Sequence, residues 1–222
     1  MNLKAGEPAA LTLLRIVVGG MFLQHGGQKL LGWLGGMPAG MTVTPADLTF
    51  TDRLALPDPQ APVEVMFLGR ANTDGDAVVW APKQKVLISG DMVLPRISTN
   101  VSVYETEPEG DPLSLFLSSL DRYLALPANT LVLPSHGEPF IGLHTRVAQL
   151  KQHHAERLAE LIQACRNQPK TALDILPVLF KRKLDAHQLA FAMGEAIAHL
   201  NHLWHQQRLT RSVDAQHVHR FV

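Results

Sequence analysis

GRANTDGDAVVWAPKQKVLISGD, Gly69 to Asp91, is the stretch whose reading decides the fold. Two short apolar runs lie inside it, AVVW and KVLI. The turn around Pro82–Lys85 separates them at the spacing of a β-hairpin. Polar residues crowd the outer ends of these runs. Asn72, Thr73, Asp74 and Asp76 precede the first, and Asp91 follows Gly90 at the end of the second. Such positions fall at strand tips, where a rigid sheet can hold a reactive side chain in place.

Further strands flank the hairpin on its N-terminal side. VEVMFLG runs directly into it, and LTFTDRLAL alternates apolar and polar residues as a half-buried strand does, with the turn-rich PDPQAP between the two. On the C-terminal side, DPLSLFLSSLDRYLAL has apolar residues at helical spacing, with Asp111 and Pro112 placed to start the helix. NTLVLPSHGEP then reads as a buried strand ending at Pro134, with His136 in the polar loop at its tip. The order of strands, helix, strand and long helix predicts a layered α/β domain with a mainly helical C-terminal extension, its chemistry carried on loops at one sheet edge.

Composition narrows the class. The chain has 222 residues, 46% of them hydrophobic, as a soluble globular protein does, and its formal net charge is zero. The charge is uneven: residues 1–145 hold 9 Lys and Arg against 14 Asp and Glu, and residues 146–222 hold 11 against 6. The basic C-terminal part is therefore the candidate surface for an acidic partner or nucleic acid. The one cysteine, Cys165, forbids an intrachain disulfide and a thiolate cluster and fits a reducing, cytoplasmic setting. Any metal must then be held by histidine and carboxylate, for which zinc is suited at about 2.0–2.2 Å.

Residues 1–40 differ from the rest. ALTLLRIVVGGMFLQHGGQKLLGWLGG is apolar and Gly-rich but contains Arg15, His25 and Lys29, which make a lone membrane span costly. It reads as a helix that packs on the domain or makes membrane contact through residues 9–34; an anchor, or a mis-joined terminus, is the alternative. Residues 11–36 resemble the first membrane helix of the DoxX family.

GRANTDGDAVVWAPKQKVLISGD followed by LVLPSHGEP resembles the second half of the metallo-β-lactamase-fold hydrolases, and the resemblance covers residues 44 to about 163. TALDILPVLFKRKLDAHQLAFAMGEAIAHLNHLWHQQRL looks like the small helical or winged-helix extension that follows this fold in one branch. The implied division is an N-terminal segment 1–40, a domain 41–164 of layered αββα type that lacks its first half, and an extension 165–222. The family's chemistry would be attack of a metal-bound hydroxide on an ester, thioester, amide or phosphodiester. By the same resemblance Asp91 would bridge two metals and His136 would complete the second site. The turn histidine of the first site corresponds to Asn72, and Asp74 and Asp76 belong to this degenerate turn. Asp76 is expected either to assist a metal or to brace the turn by accepting backbone N–H bonds.

The His-x-His-x-Asp-His motif of the family's first half does not occur: His25 is the only histidine before His136. Two of the usual ligands remain, so impaired zinc binding and impaired turnover of a small-molecule substrate are expected, and no residue is assigned a catalytic role. The competing reading is a non-catalytic binding module working through the basic tail. A second copy of the chain covering the sheet face left by the missing half is a further expectation. His153 and His154, on TRVAQLKQHHAERLAELIQA, read as solvated, and His199, His202 and His205 as an amphipathic border. The final VDAQHVHRFV reads as a frayed terminus.

Overall fold

The computed structural model describes residues 49–222, apart from Pro57, Pro59, Ala71, Asn72 and Asp74 and the side chain of His187. The expectations for residues 1–40, including the DoxX-like stretch and the membrane contact, lie outside these residues. Among the described residues no helix is long and apolar enough to cross a membrane.

The strands predicted from alternation and turns form one sheet. β1 (Arg53–Leu56), β2 (Val63–Phe67), β3 (Ala77–Ala81) and β4 (Val86–Gly90) make an antiparallel meander. The β3–β4 hairpin closes where Pro82–Lys85 predicts it. Lys85 takes a left-handed φ of 53° and its N–H reaches the Pro82 carbonyl at 3.4 Å. β1 is shorter than the alternating stretch suggests; one further bond in the same register, from the Phe67 N–H to the Asp52 carbonyl at 2.9 Å, extends its pairing with β2.

After β4 the chain crosses the sheet through α1 (Pro112–Arg122). The start signal works as read: the Asp111 carboxylate accepts the Ser114 N–H at 3.0 Å, and Pro112 occupies the first turn, where its missing N–H costs nothing. A 3-10 turn (Tyr123–Ala125) leads into β5 (Leu131–Pro134), which lies parallel to β4, and β6 (Phe140–Ile141) closes the edge antiparallel to β5. The full order is β1-β2-β3-β4-β5-β6, and a crossover helix between parallel neighbours is what such a pair requires.

α2 (Leu143–Cys165) carries one buried stripe, Val147, Leu150, His154, Leu158, Leu161 and Cys165, at spacings of three and four. α3 (Ala172–Leu179) and α4 (Ala186–His205) follow, each opened by a reciprocal capping box, Thr171 with Asp174 and Asp185 with Gln188. One hydrophobic cluster runs from Met66 and Leu87 in the sheet, through Phe116 and Leu161, to Leu203 and Phe221 in the extension.

Two expectations change here. The C-terminus is not frayed. β7 (Arg211–Val213) pairs with β8 (His219–Phe221), Phe221 is buried and bridges Lys170, and the Val222 N–H donates to the Thr210 carbonyl at 3.1 Å. The segment is held because the Phe221 side chain joins the hydrophobic cluster, which its polar neighbours conceal in the sequence. His154 is also not solvated but fully buried, and on α4 His199 and His202 are buried rather than at the border of an amphipathic face. His154 occupies a position of the apolar stripe of α2, and α4 is enclosed on the face that carries His199 and His202.

Candidate functional site

Parallel pairing of β4 and β5 brings the two candidate ligands together. Gly90 lies opposite Pro134, and the Ser135 N–H donates to the Gly90 carbonyl at 3.1 Å, so the residues after each strand emerge side by side. Asp91 Oδ1 and His136 Nε2 end 3.5 Å apart. The Asp91 carboxylate is inward, while the His136 ring is mostly exposed. The Ser135 hydroxyl donates to the same Asp91 oxygen and fixes its rotamer.

Two glycines set this tip. Gly90 turns the chain out of β4 with a φ of 56°. Gly137 has a φ of 83°, and a Cβ there would lie 2.7 Å from Pro95 Cγ, so only glycine lets the His136 loop close over the segment after Asp91. Arg146 of α2 holds that segment from below: its Nε donates to the Leu94 carbonyl at 2.6 Å and its Nη2 to the Ile97 carbonyl at 2.9 Å. Burial lowers the guanidinium pKa without a carboxylate to compensate. The positioning role of Arg146 has no sequence signal, since an arginine one turn into a helix usually faces water.

The degenerate turn sits at the mouth of the β2–β3 connection. Asn72 and Asp74 lie outside the described residues. Asp76 is buried, and its Oδ2 accepts the Thr73 N–H at 2.6 Å, which is the bracing geometry. Burial raises the pKa of Tyr104 and of Tyr123, and the nearby Asp76 charge raises both further. Gly69, at a φ of 114°, brings this turn against α1, where a Cβ would meet Ser119 Cβ at 2.9 Å.

Two donors on one tetrahedral zinc at about 2.1 Å are about 3.4 Å apart, so the Asp91–His136 separation suits neighbouring corners of one coordination sphere. A protein zinc site takes three or four protein ligands. Among the described residues no group of three or more His, Cys, Asp or Glu side chains is arranged to hold an ion. The described donor set therefore does not fit a complete zinc site.

A second polar cluster joins α2 to α4. His154 Nδ1 and His199 Nε2 are 3.2 Å apart, and His199 Nδ1 donates to the Glu195 carbonyl at 2.8 Å. With that proton placed on His199 Nδ1, its Nε2 accepts and His154 Nδ1 donates. His154 Nε2 has no partner among the described residues. Burial first, then the neighbouring histidines, push His154 down to about 3; burial likewise pushes His199 down to about 4, so both rings are neutral. Next to them His202 Nδ1 faces Asp111 Oδ1 at 3.0 Å. Burial works to raise the Asp111 pKa, but the hydrogen bonds from His202 and the Ser114 N–H outweigh it and hold the carboxyl below its usual range.

The sheet order, the crossover and the paired strand tips define a metallo-β-lactamase type of αβ layer. The Metallo-beta-lactamase superfamily model matches residues 12–136, and the model described as Metallo-beta-lactamase-like, C-terminal domain matches residues 158–222. The chain belongs to the metallo-beta-lactamase superfamily, whose members typically bind zinc. Among solved structures it is similar to a beta-lactamase domain protein from Burkholderia ambifaria, at 44% identity and a TM-score of 0.76, with 82% of this chain and 53% of that one covered. It is also similar to a metallo-beta-lactamase family protein from Thermus thermophilus, at 27% identity and a TM-score of 0.67, with 93% and 66% covered. The chain thus spans between about half and two thirds of the length of these two proteins. No curated protein matches it.

Proposed function

We propose that this chain is a metallo-beta-lactamase-superfamily hydrolase scaffold in which attack of a metal-bound hydroxide on an ester, thioester, amide or phosphodiester is impaired. The observation that carries this reading is the two-donor corner: Asp91 Oδ1 and His136 Nε2 keep a separation suited to neighbouring positions on one ion. The absence of a His-x-His-x-Asp-His motif before His136 supports it. In this reading residues 41–164 form the hydrolase-like layer, and residues 165–222 form an extension of winged-helix kind, supported by α3, α4 and the β7–β8 ribbon. Membrane contact through residues 9–34 is a separate proposal, tested by whether the protein pellets with vesicles with residues 1–40 present and not without them.

The experiment is zinc content by mass spectrometry after reconstitution of the full chain, beside Asp91→Ala and His136→Ala. We expect far less than one zinc per chain, unchanged in both variants. About one or two zinc ions per chain, lost in both variants, would overturn the reading and call for hydrolase assays.

A further inference from the structure

Where the segment after β4 meets the extension, a cavity of about 220 Å³ opens. Ser98 and Asn100 line one side, and Phe180, Leu184, Phe191 and Glu195 of the α3–α4 region line the other. A single water needs only about 10–15 Å³ by the same kind of measure, so the space admits a small organic molecule. Its wall is set by a close helix approach. The Val103 N–H donates to the Gly194 carbonyl at 3.1 Å, and a Cβ on Gly194 would lie 2.7 Å from Ser102 Oγ. Backbone therefore meets backbone beside Glu195, and the cavity is a built feature of the contact between sheet layer and extension.

We propose that this cavity is a binding site for a small primary amine, whose ammonium pairs with the Glu195 carboxylate while its apolar body lies on Phe180, Leu184 and Phe191. The Glu195 side chain is partly buried and no hydrogen-bond or ion-pair partner is recorded for it among the described residues; withdrawing a carboxylate from water is costly unless a donor or cation meets it. Burial raises its pKa to about 7, so near neutrality it is poised to ionise when a cation arrives. Aromatic faces beside the carboxylate favour an ammonium over an anion. The one cation that lines the cavity, Arg182, is exposed at its mouth and donates to Gln188 Oε1 at 2.7 Å, so it does not neutralise Glu195. The site is independent of whether a metal binds beside Asp91.

The test is calorimetric titration of the full chain with pentylamine, pentanoate and pentanol at pH 8. Pentylamine is expected to bind in preference to the other two. Its affinity should fall about tenfold between pH 8 and pH 6, as Glu195 takes up a proton. Glu195→Gln, which keeps the shape of the site, should weaken binding at least tenfold, and Ala192→Leu, which enlarges a residue lining the cavity, should abolish it. Arg182→Gln should leave it unchanged. Preference for pentanoate, equal binding of pentanol, absence of binding, or undiminished binding in Glu195→Gln or Ala192→Leu would each overturn the proposal.

Discussion

Acidification from pH 7 to pH 5 tests the buried histidine pair and its neighbour together. His154 and His199 are held neutral, down to about 3 and about 4, whereas an unfolded histidine titrates at 6.5. Below pH 6.5 the unfolded chain binds protons that the native chain does not, so stability is lost as the pH falls, and the loss levels off only below the native pKa values. At pH 5 the unfolded rings lie about 1.5 units below their pKa. At 1.36 kcal/mol per unit each ring then costs about 2 kcal/mol, or about 4 for the pair. Glu195 acts in the opposite sense. Its native pKa of about 7 exceeds the unfolded 4.5, so the native chain binds the extra proton and regains about 2 kcal/mol over the same interval. The other groups near the pair, His153, His202, Arg157 and Asp111, are common to every variant compared.

The assay is urea unfolding at both pH values for three proteins. The native chain should lose about 2 kcal/mol, His154→Gln almost nothing, and Glu195→Gln about 4 kcal/mol. In thermal melts the last figure corresponds to a fall of roughly 10 °C or more for a chain of this size. Equal losses in all three proteins would refute the reasoning, because acid lability would then arise elsewhere.

Three further outcomes follow from the geometry. Asp111→Ala removes the α1 cap and leaves His202 facing an empty site, so a loss of about 2 kcal/mol is expected in urea unfolding, with its midpoint as the readout. Gly137→Ala forces a side chain onto a left-handed residue and against Pro95; it should cost more than about 1 kcal/mol, and an unchanged melting temperature would contradict the close approach. Phe221→Ala should cost about 3–5 kcal/mol and speed amide exchange at Lys170 and Thr210, whereas a silent substitution would mean that the C-terminus contributes little.

The layered architecture is legible in the sequence because turn residues and apolar runs act locally. Pro82–Lys85 marks its hairpin, and Asp111–Pro112 marks the start of α1, without reference to the rest of the chain. The meeting of Asp91 with His136 depends on β4 pairing parallel with β5 across more than forty residues, which spacing alone does not encode; the family resemblance supplies it. The buried histidines escape a sequence reading for a different reason. His153 and His154 look like one polar pair, but consecutive helical residues point about 100° apart, and only His154 shares the stripe of Val147, Leu150, Leu158 and Leu161. Counting that stripe at spacings of three and four finds it. The hold of Arg146 on the Leu94 and Ile97 carbonyls leaves no trace, because backbone acceptors carry no residue identity.

The continuous cluster from Met66 to Phe221 bears on how such a chain changes over generations. α2 buries Leu143 and Val147 at one end and Leu161 and Cys165 at the other, within the same cluster as Ile175 and Leu200. Deleting residues 166–222 would strip cover from this apolar surface, and a sheet layer released that way would self-associate. Loss or exchange of the extension would therefore uncover apolar surface of the sheet layer, so a change in one part carries a cost in the other.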